Sequence, residues 1–127
     1  VAAALARGTT PQELGPPIGL ESLARLYYEE PVISADVVTG RVVALDRFGN
    51  VITDIPASSM SEPGQWTVFA AGVQISRFAE HYQQDSEEPF FLIGSSGTVE
   101  IAIANGSAAA VLQIRRFARV EASRTTL

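Results

Sequence analysis

The sequence predicts a mainly β protein, a small antiparallel barrel or sandwich preceded by a short helix and a linker. Three observations carry this. Roughly six to eight short apolar runs follow Pro31, with turn signals every 8 to 12 residues. The turns are marked by Gly, Asn, Asp and Ser, the residues whose backbones or side chains make reversals easy. No long run with helical periodicity interrupts them.

In chain order, "VAAALARG" (1–8) is a short helical run closed by Gly8, which suits a helix C-cap. Thr10-Pro11-Gln12-Glu13 has the form of one capped turn: a Thr N-cap, Pro at the first position and Glu at the third. Gly15-Pro16-Pro17 ends it. "LESLARLYY" (20–28) reads as a short helix or an extended edge, and Tyr27, Tyr28, Glu29 and Glu30 as linker packing and a solvated face. Residues 1–31 are therefore expected to be the end of a preceding domain plus a surface linker, and residues 32–127 a β domain. The start at Val1 suggests a piece of a longer polypeptide.

From Pro31 onward "DVVTGRVVALD" and "NVITDI" flank the turn Asp46-Arg47-Phe48-Gly49-Asn50. "QWTVFAAGVQISRFA" is two strands around Ala71-Gly72, and "PFFLIGSSGTVEIAIA" two more around Gly94-Ser95-Ser96-Gly97. Asn105-Gly106 is a turn between strands, and "AAAVLQIRRFARVEA" supplies one or two closing strands. Trp66, Phe69, Phe78 and Phe117 are expected in the core. Arg115, Arg116 and Arg119 read as outward strand positions, and His81 as a surface residue.

Composition narrows the function classes. The 127-residue chain has no Cys and one His, which leaves no basis for a disulfide framework or a Cys/His metal site. Net charge is −5, and every basic residue is Arg. That balance disfavours nucleic acid and anionic membranes, including the reading as an oligonucleotide-binding barrel. No apolar run approaches the roughly 20 residues of a membrane span, and no secretory leader is visible. The expectation is a soluble cytoplasmic protein with neither metal nor organic cofactor.

Three segments have chemistry beyond what a core requires. In the first, Phe48 places an aromatic face at a chain reversal, Asn50 supplies a donor and an acceptor, and Gly49 allows close approach. In the second, Ser95 and Ser96 between glycines offer hydroxyls and amides to a polar ligand. In the third, "EIAIANGSAA" (100–109), Glu100 stands among apolar residues and small side chains follow Asn105-Gly106. Read as residues alone, each segment is in the first place an ordinary structural turn, with the Phe48 ring covering the barrel mouth. No nucleophile elbow, phosphate loop or paired carboxylates point to catalysis.

Taken together and in order, these segments resemble a family. "GRVVALDRFGNVITDI" is similar to the "G-x-V-x-x-x-D-x-FGN-x-x-TNI" segment of the S-adenosyl-L-methionine hydroxide adenosyltransferases, relatives of the fluorinase and chlorinase. "EPFFLIGSSGTVEIAIANGSAA" resembles their "PF-x-x-I-x-SSG-x-x-EIA-x-x-x-G-x-AA" segment. Both belong to the family's C-terminal domain. "VAAALARGTTPQELG" resembles the end of its N-terminal domain.

The resemblance implies an enzyme that hydrolyses S-adenosyl-L-methionine to adenosine and L-methionine by attack of water or hydroxide at ribose C5′. It also implies that the catalytic groups lie in a preceding α/β domain. This chain would hold no catalytic residue and be inactive alone. The complete protein would form a homotrimer with sites between subunits.

Phe48 would stack near adenine, with Asn50 and the backbone at Ala104 and Asn105 at its edge. Ile52 and Tyr82 would line the same pocket. Asp46 would hold the methionine ammonium, with Ser95 and Ser96 at the amino-acid end. Asp54 stands where the family usually has Asn, and Ala104 in a run where Asn is frequent. Ser96 replaces an Arg of the halogenases, which favours water over halide. The alternative is a non-catalytic nucleoside-binding or oligomerisation module.

Overall fold

The computed structural model describes residues 1–25, 28–82 and 87–125. Leu26 and Tyr27, within the run read as a short helix or edge, and residues 83–86 of the acidic loop lie outside them. The elements in order are α1 (Ala2–Ala6), α2 (Pro11–Leu14), β1 (Val32–Ile33), β2 (Val37–Leu45), β3 (Val51–Pro56), β4 (Trp66–Ala70), β5 (Val73–Ile75), β6 (Phe90–Ile93), β7 (Thr98–Ala102), α3 (Ala108–Val111) and β8 (Arg119–Arg124). Short 3-10 turns at Leu20–Ser22, Ala57–Ser59 and Pro63–Gln65 complete the set.

The eight strands make one antiparallel sheet in the order β5-β4-β8-β2-β3-β7-β6, with β1 paired to β2 beside that path. The sheet curls until its two ends nearly meet. Phe78, just past β5, forms a bridge with Phe91 of β6, and the Arg77 carbonyl and Ala79 amide bond to the Phe91 backbone at 2.9 Å each. The result is a nearly closed barrel, which leaves few strand edges to pair with other chains.

The long strand β2 makes the curl possible. Its first half, Val37 to Arg41, pairs with β8, and its second half pairs with β3 after a register shift between Val42 and Ala44. Such an irregularity bends a strand and increases its twist. Gly40 precedes this irregularity, and a Cβ there would collide with the side chains of Asp54 and Ile55.

Alternation sends Val38 and Val42 inward from β2, where they meet Val51, Ile55, Trp66, Val68, Phe91, Val99, Ile101 and Val120. Trp66 is fully buried and its indole N–H donates to the Ser61 carbonyl at 2.9 Å. Strand β6 is buried on both faces. Phe91 enters the main core, while Phe90 and Leu92 form a second cluster with Ala79 and Ala102.

Residues 1–25 bury nothing, and Ile18, Leu20 and Leu23 are exposed. The Thr10 amide and hydroxyl both bond to the Glu13 carboxylate, at 2.8 and 2.7 Å. Further on, Tyr28 donates to Asp54 Oδ2 at 3.1 Å and Glu29 pairs with Arg41, so the end of the linker is tied to the barrel.

Four expectations need correction. The run after Ser107 begins with α3 rather than a strand, because the Ser107 hydroxyl caps it by accepting from the Ala110 amide at 3.1 Å. Phe117 is not core. Its φ of +69° turns the ring outward, 68% exposed, with the Arg116 guanidinium 5.0 Å from its centre. Arg115 and Arg116 therefore precede β8 in a turn, and only Arg119 is a strand residue. Phe69 is also more open than expected, at 36% exposure.

Candidate functional site

The turn from Asp46 to Asn50 joins β2 to β3 and is organised by one carboxylate. Asp46 Oδ1 accepts from the amides of Phe48 and Asn50 at 2.8 and 2.9 Å, and Oδ2 accepts from the Asn50 side-chain nitrogen at 2.8 Å. Burial pushes the Asp46 carboxyl up. The hydrogen bonds from Asn50, backbone and side chain, and from the Phe48 and Gly49 amides outweigh it and hold the group below its ordinary 3.8. Asp46 is therefore ionised at neutral pH. Since a carboxylate only accepts, Asn50 must present its nitrogen to it, which leaves the Asn50 carbonyl oxygen and one N–H for other partners.

A second turn lies against the first. Chain reversal at the end of β7 places Asn105 at φ +53° and pairs Ile103 with Gly106. Gly49 has φ +85°, and a Cβ on it would strike the side chain and Cα of Ser107. Its carbonyl accepts the Ala109 amide at 2.9 Å, which seats α3 on the first turn.

Between these turns and the start of β6 lies a cavity of about 550 Å³, in the size range of small-ligand sites. Phe48, Tyr82, Phe90, Ile103, Ala104 and Gly106 supply most of its wall, and Asp46, Asn50 and Asn105 supply polar groups. Phe48 is 63% exposed, with the Arg47 guanidinium 4.7 Å from its ring centre, so its face is not used up in the core. Asn50, by contrast, is buried.

Tyr82 donates its hydroxyl to Glu100 Oε2 at 2.6 Å. Burial is the main reason that its phenol is pushed up to about 12. The bond to Glu100 and the negative charges of Glu100 and Asp46 add to it. Glu100 is only 6% exposed, in β7 opposite Leu92 of β6 and Ile52 of β3. Its carboxylate occupies the space where Gly94 lacks a side chain.

Of the sequence-derived candidates, Asp46, Phe48, Asn50, Tyr82, Ala104 and Asn105 thus surround one cavity. Ile52, Ser95 and Ser96 do not line it. Ile52 is half-buried on β3, opposite Glu100. Ser95 and Ser96 are in the turn at the far end of the β6–β7 hairpin, where Ser96 bonds with Thr98 at 3.0 Å. That turn is roughly 13 Å along β7 from Ala102. Phe90, Ile103 and Gly106 were not among the candidates. The Phe90-Phe91 pair carried the signal for one of them, since adjacent strand residues face opposite ways. Among the described residues no group of three His, Cys, Asp or Glu side chains could hold a metal, and no helix is long and apolar enough to cross a membrane.

Fold and site together define a small antiparallel barrel with an aromatic and amide-lined cavity at one rim. The chain belongs to the SAM hydroxide adenosyltransferase C-terminal domain family, which matches residues 40–121 and so includes all three turns. It is 32% identical over 114 residues to the (R)-S-adenosyl-L-methionine hydrolase of Thermus thermophilus, covering 90% of this chain and 42% of that protein. An uncharacterized conserved protein from Thermotoga maritima superposes with a TM-score of 0.76 at 27% identity, covering 98% of this chain and 49% of the other. A conserved hypothetical protein from Thermus thermophilus superposes with a TM-score of 0.69 at 31% identity, covering 94% of this chain and 45% of the other. The chain therefore spans less than half the length of each of these relatives.

Proposed function

We propose that the chain is the adenine- and methionine-binding part of an enzyme that hydrolyses S-adenosyl-L-methionine to adenosine and L-methionine. The observation that carries this is the convergence of Phe48, Asn50, Ala104 and Asn105 on one cavity. Adenine requires a flat apolar face and a group that both donates and accepts. Phe48 provides the face, and stacking of a base on an aromatic is worth about 1 to 3 kcal/mol. Asn50, with one N–H and its carbonyl uncommitted to Asp46, reads the edge together with the backbone at Ala104 and Asn105. Tyr82 closes a side.

The amino-acid end is held beside the cavity at Asp46; Ser95 and Ser96, at the far end of the β6–β7 hairpin, lie too far away to hold the same amino acid. Asp46 retains one lone pair on Oδ2 for the ammonium, because Oδ1 accepts two bonds and Oδ2 one. In the reaction, water or hydroxide attacks C5′, the C5′–S bond breaks, and its electron pair stays on sulfur as the methionine thioether; an attacking water also gives up one proton, to a base of the preceding domain. The leaving group is already activated by its positive charge, so positioning and exclusion of water do most of the work. Groups that activate the water are assigned to a preceding domain, and the complete enzyme to a trimer with sites between subunits. Neither metal nor cofactor takes part in this scheme.

The test is to incubate the complete polypeptide with S-adenosyl-L-methionine in ¹⁸O-labelled water. Adenosine and methionine should appear in equal amounts, with label in the 5′-hydroxyl. Absence of turnover together with absence of adenosine binding defeats the proposal. A second reading, a non-catalytic assembly module, is favoured by the exposed apolar residues Ile18, Leu20, Val32 and Phe117. It predicts intact oligomers that bind no adenosine.

A further inference from the structure

We infer that Glu100 is a positioning residue for the nucleoside: it fixes the Tyr82 ring as a wall of the cavity without touching the ligand. This rests on the reading of the cavity given above. Three observations support it. Tyr82 lies outside the strands and is 53% exposed, so packing alone does not set its ring. Its hydroxyl is held by Glu100 at 2.6 Å, a short bond to a buried carboxylate on a strand paired on both sides. The barrel, finally, is built around that carboxylate. Phe90, Leu92 and Ala102 around it are apolar, and Gly94 lacks the side chain that would displace it.

Glu100 is a poor choice for stability alone. Burying a carboxylate among apolar side chains is unfavourable unless its bonds are made, and an apolar residue of similar volume would serve the cluster better. Its evident return is a fixed Tyr82. The ring is thereby set across the cavity from Phe48 and Asn50 before any ligand arrives, which lowers the ordering cost of binding.

The experiment is a double-mutant cycle on the complete polypeptide, with adenosine affinity read by calorimetry and folding by circular dichroism. Tyr82→Phe and Glu100→Ala should each weaken adenosine binding about tenfold. The double variant should be no weaker than either single one. Glu100→Gln, whose carbonyl still accepts the hydroxyl, should stay within about threefold of wild type. An unchanged affinity in Tyr82→Phe overturns the inference even if Glu100→Ala fails to fold. Losses that multiply in the double variant also overturn it. If wild type binds no adenosine, the reading of the cavity falls and takes this inference with it. Wild-type binding with a multiplicative cycle removes the inference alone.

Discussion

The Asn50 side-chain nitrogen donates to Asp46 Oδ2 at 2.8 Å, so the two polar walls of the cavity form one hydrogen-bonded unit. Replacing Asp46 therefore alters stability and site together. Asp46→Ala removes three acceptor contacts, and the folded state should lose about 2 kcal/mol at pH 7, measured by urea denaturation. The folded-state carboxyl lies below its ordinary 3.8. Its contribution is thus complete above that value and is lost as pH falls through the depressed one. The gap between wild type and Asp46→Ala should narrow on acidification below pH 3.8 and be flat between pH 5 and 7. A gap that persists at the acid end would show that the carboxylate charge is not what holds the turn.

Phe48→Ala separates affinity from stability. The ring is 63% exposed, so its loss should change unfolding free energy by less than about 1 kcal/mol. Adenosine binding to the complete polypeptide should weaken by roughly 5- to 150-fold, the range of one lost stacking contact. A stability loss without an affinity loss would make Phe48 a packing residue of the barrel rather than a ligand face.

How much of this could be read from residues alone follows from how local each feature is. The Asp46–Asn50 turn was legible because its partners lie within four residues and Asx side chains organise their own neighbourhood. The barrel was legible because strand alternation and turn spacing persist over most of the chain. The helix at Ala108–Val111 was not. "AAAVL" suits several conformations, and what decides it is the Ser107 cap and a carbonyl from Gly49, nearly 60 residues earlier in the chain. Phe117 misled because residue type says core while a left-handed backbone turns it outward. Glu100 stood out as a charge in an apolar run, but its partner Tyr82 is separated by another strand. Ser95 and Ser96 stood out as hydroxyls between two glycines, but residue type does not say which end of a hairpin faces a cavity, and they lie at the other end from it.

Gly49 couples the two cavity turns through contact. Gly49→Ala places a Cβ where φ is +85° and 2.9 Å from the Ser107 Cα. The expected cost is at least about 2 kcal/mol in chemical denaturation, from backbone strain and from the contact together. Ser107→Ala, which removes the cap of α3, should cost about 1 kcal/mol alone. The double variant should not recover stability, because the clash includes the Ser107 backbone and the strain remains. Recovery in the double variant would mean that the hydroxyl was the whole obstacle.

The linker is tethered away from the cavity, at Asp54. Its Oδ1 accepts the Arg41 amide at 2.6 Å and its Oδ2 accepts the Tyr28 hydroxyl at 3.1 Å. The two bonds should separate by mutation. Asp54→Ala leaves a strand amide unpaired and should lower barrel stability by about 1 to 3 kcal/mol. Tyr28→Phe leaves that amide bonded, so denaturation should hardly change while the preceding segment loosens. Trypsin cleavage after Arg25 should then quicken by about two- to tenfold, the equivalent of one net hydrogen bond. The Tyr28 phenol is raised above its ordinary 10.0, by burial first and then by the bond to Asp54 and the charges of Asp54 and Glu30. A raised phenol favours the folded arrangement while it is protonated. The tether should therefore be intact below pH 10 and weaken as pH rises through the elevated value. Cleavage after Arg25, followed from about pH 9 upward with Tyr28→Phe as the reference, should show the wild type approaching the variant. If wild type and variant are already cleaved alike at the start of that series, the hydroxyl does not hold the linker.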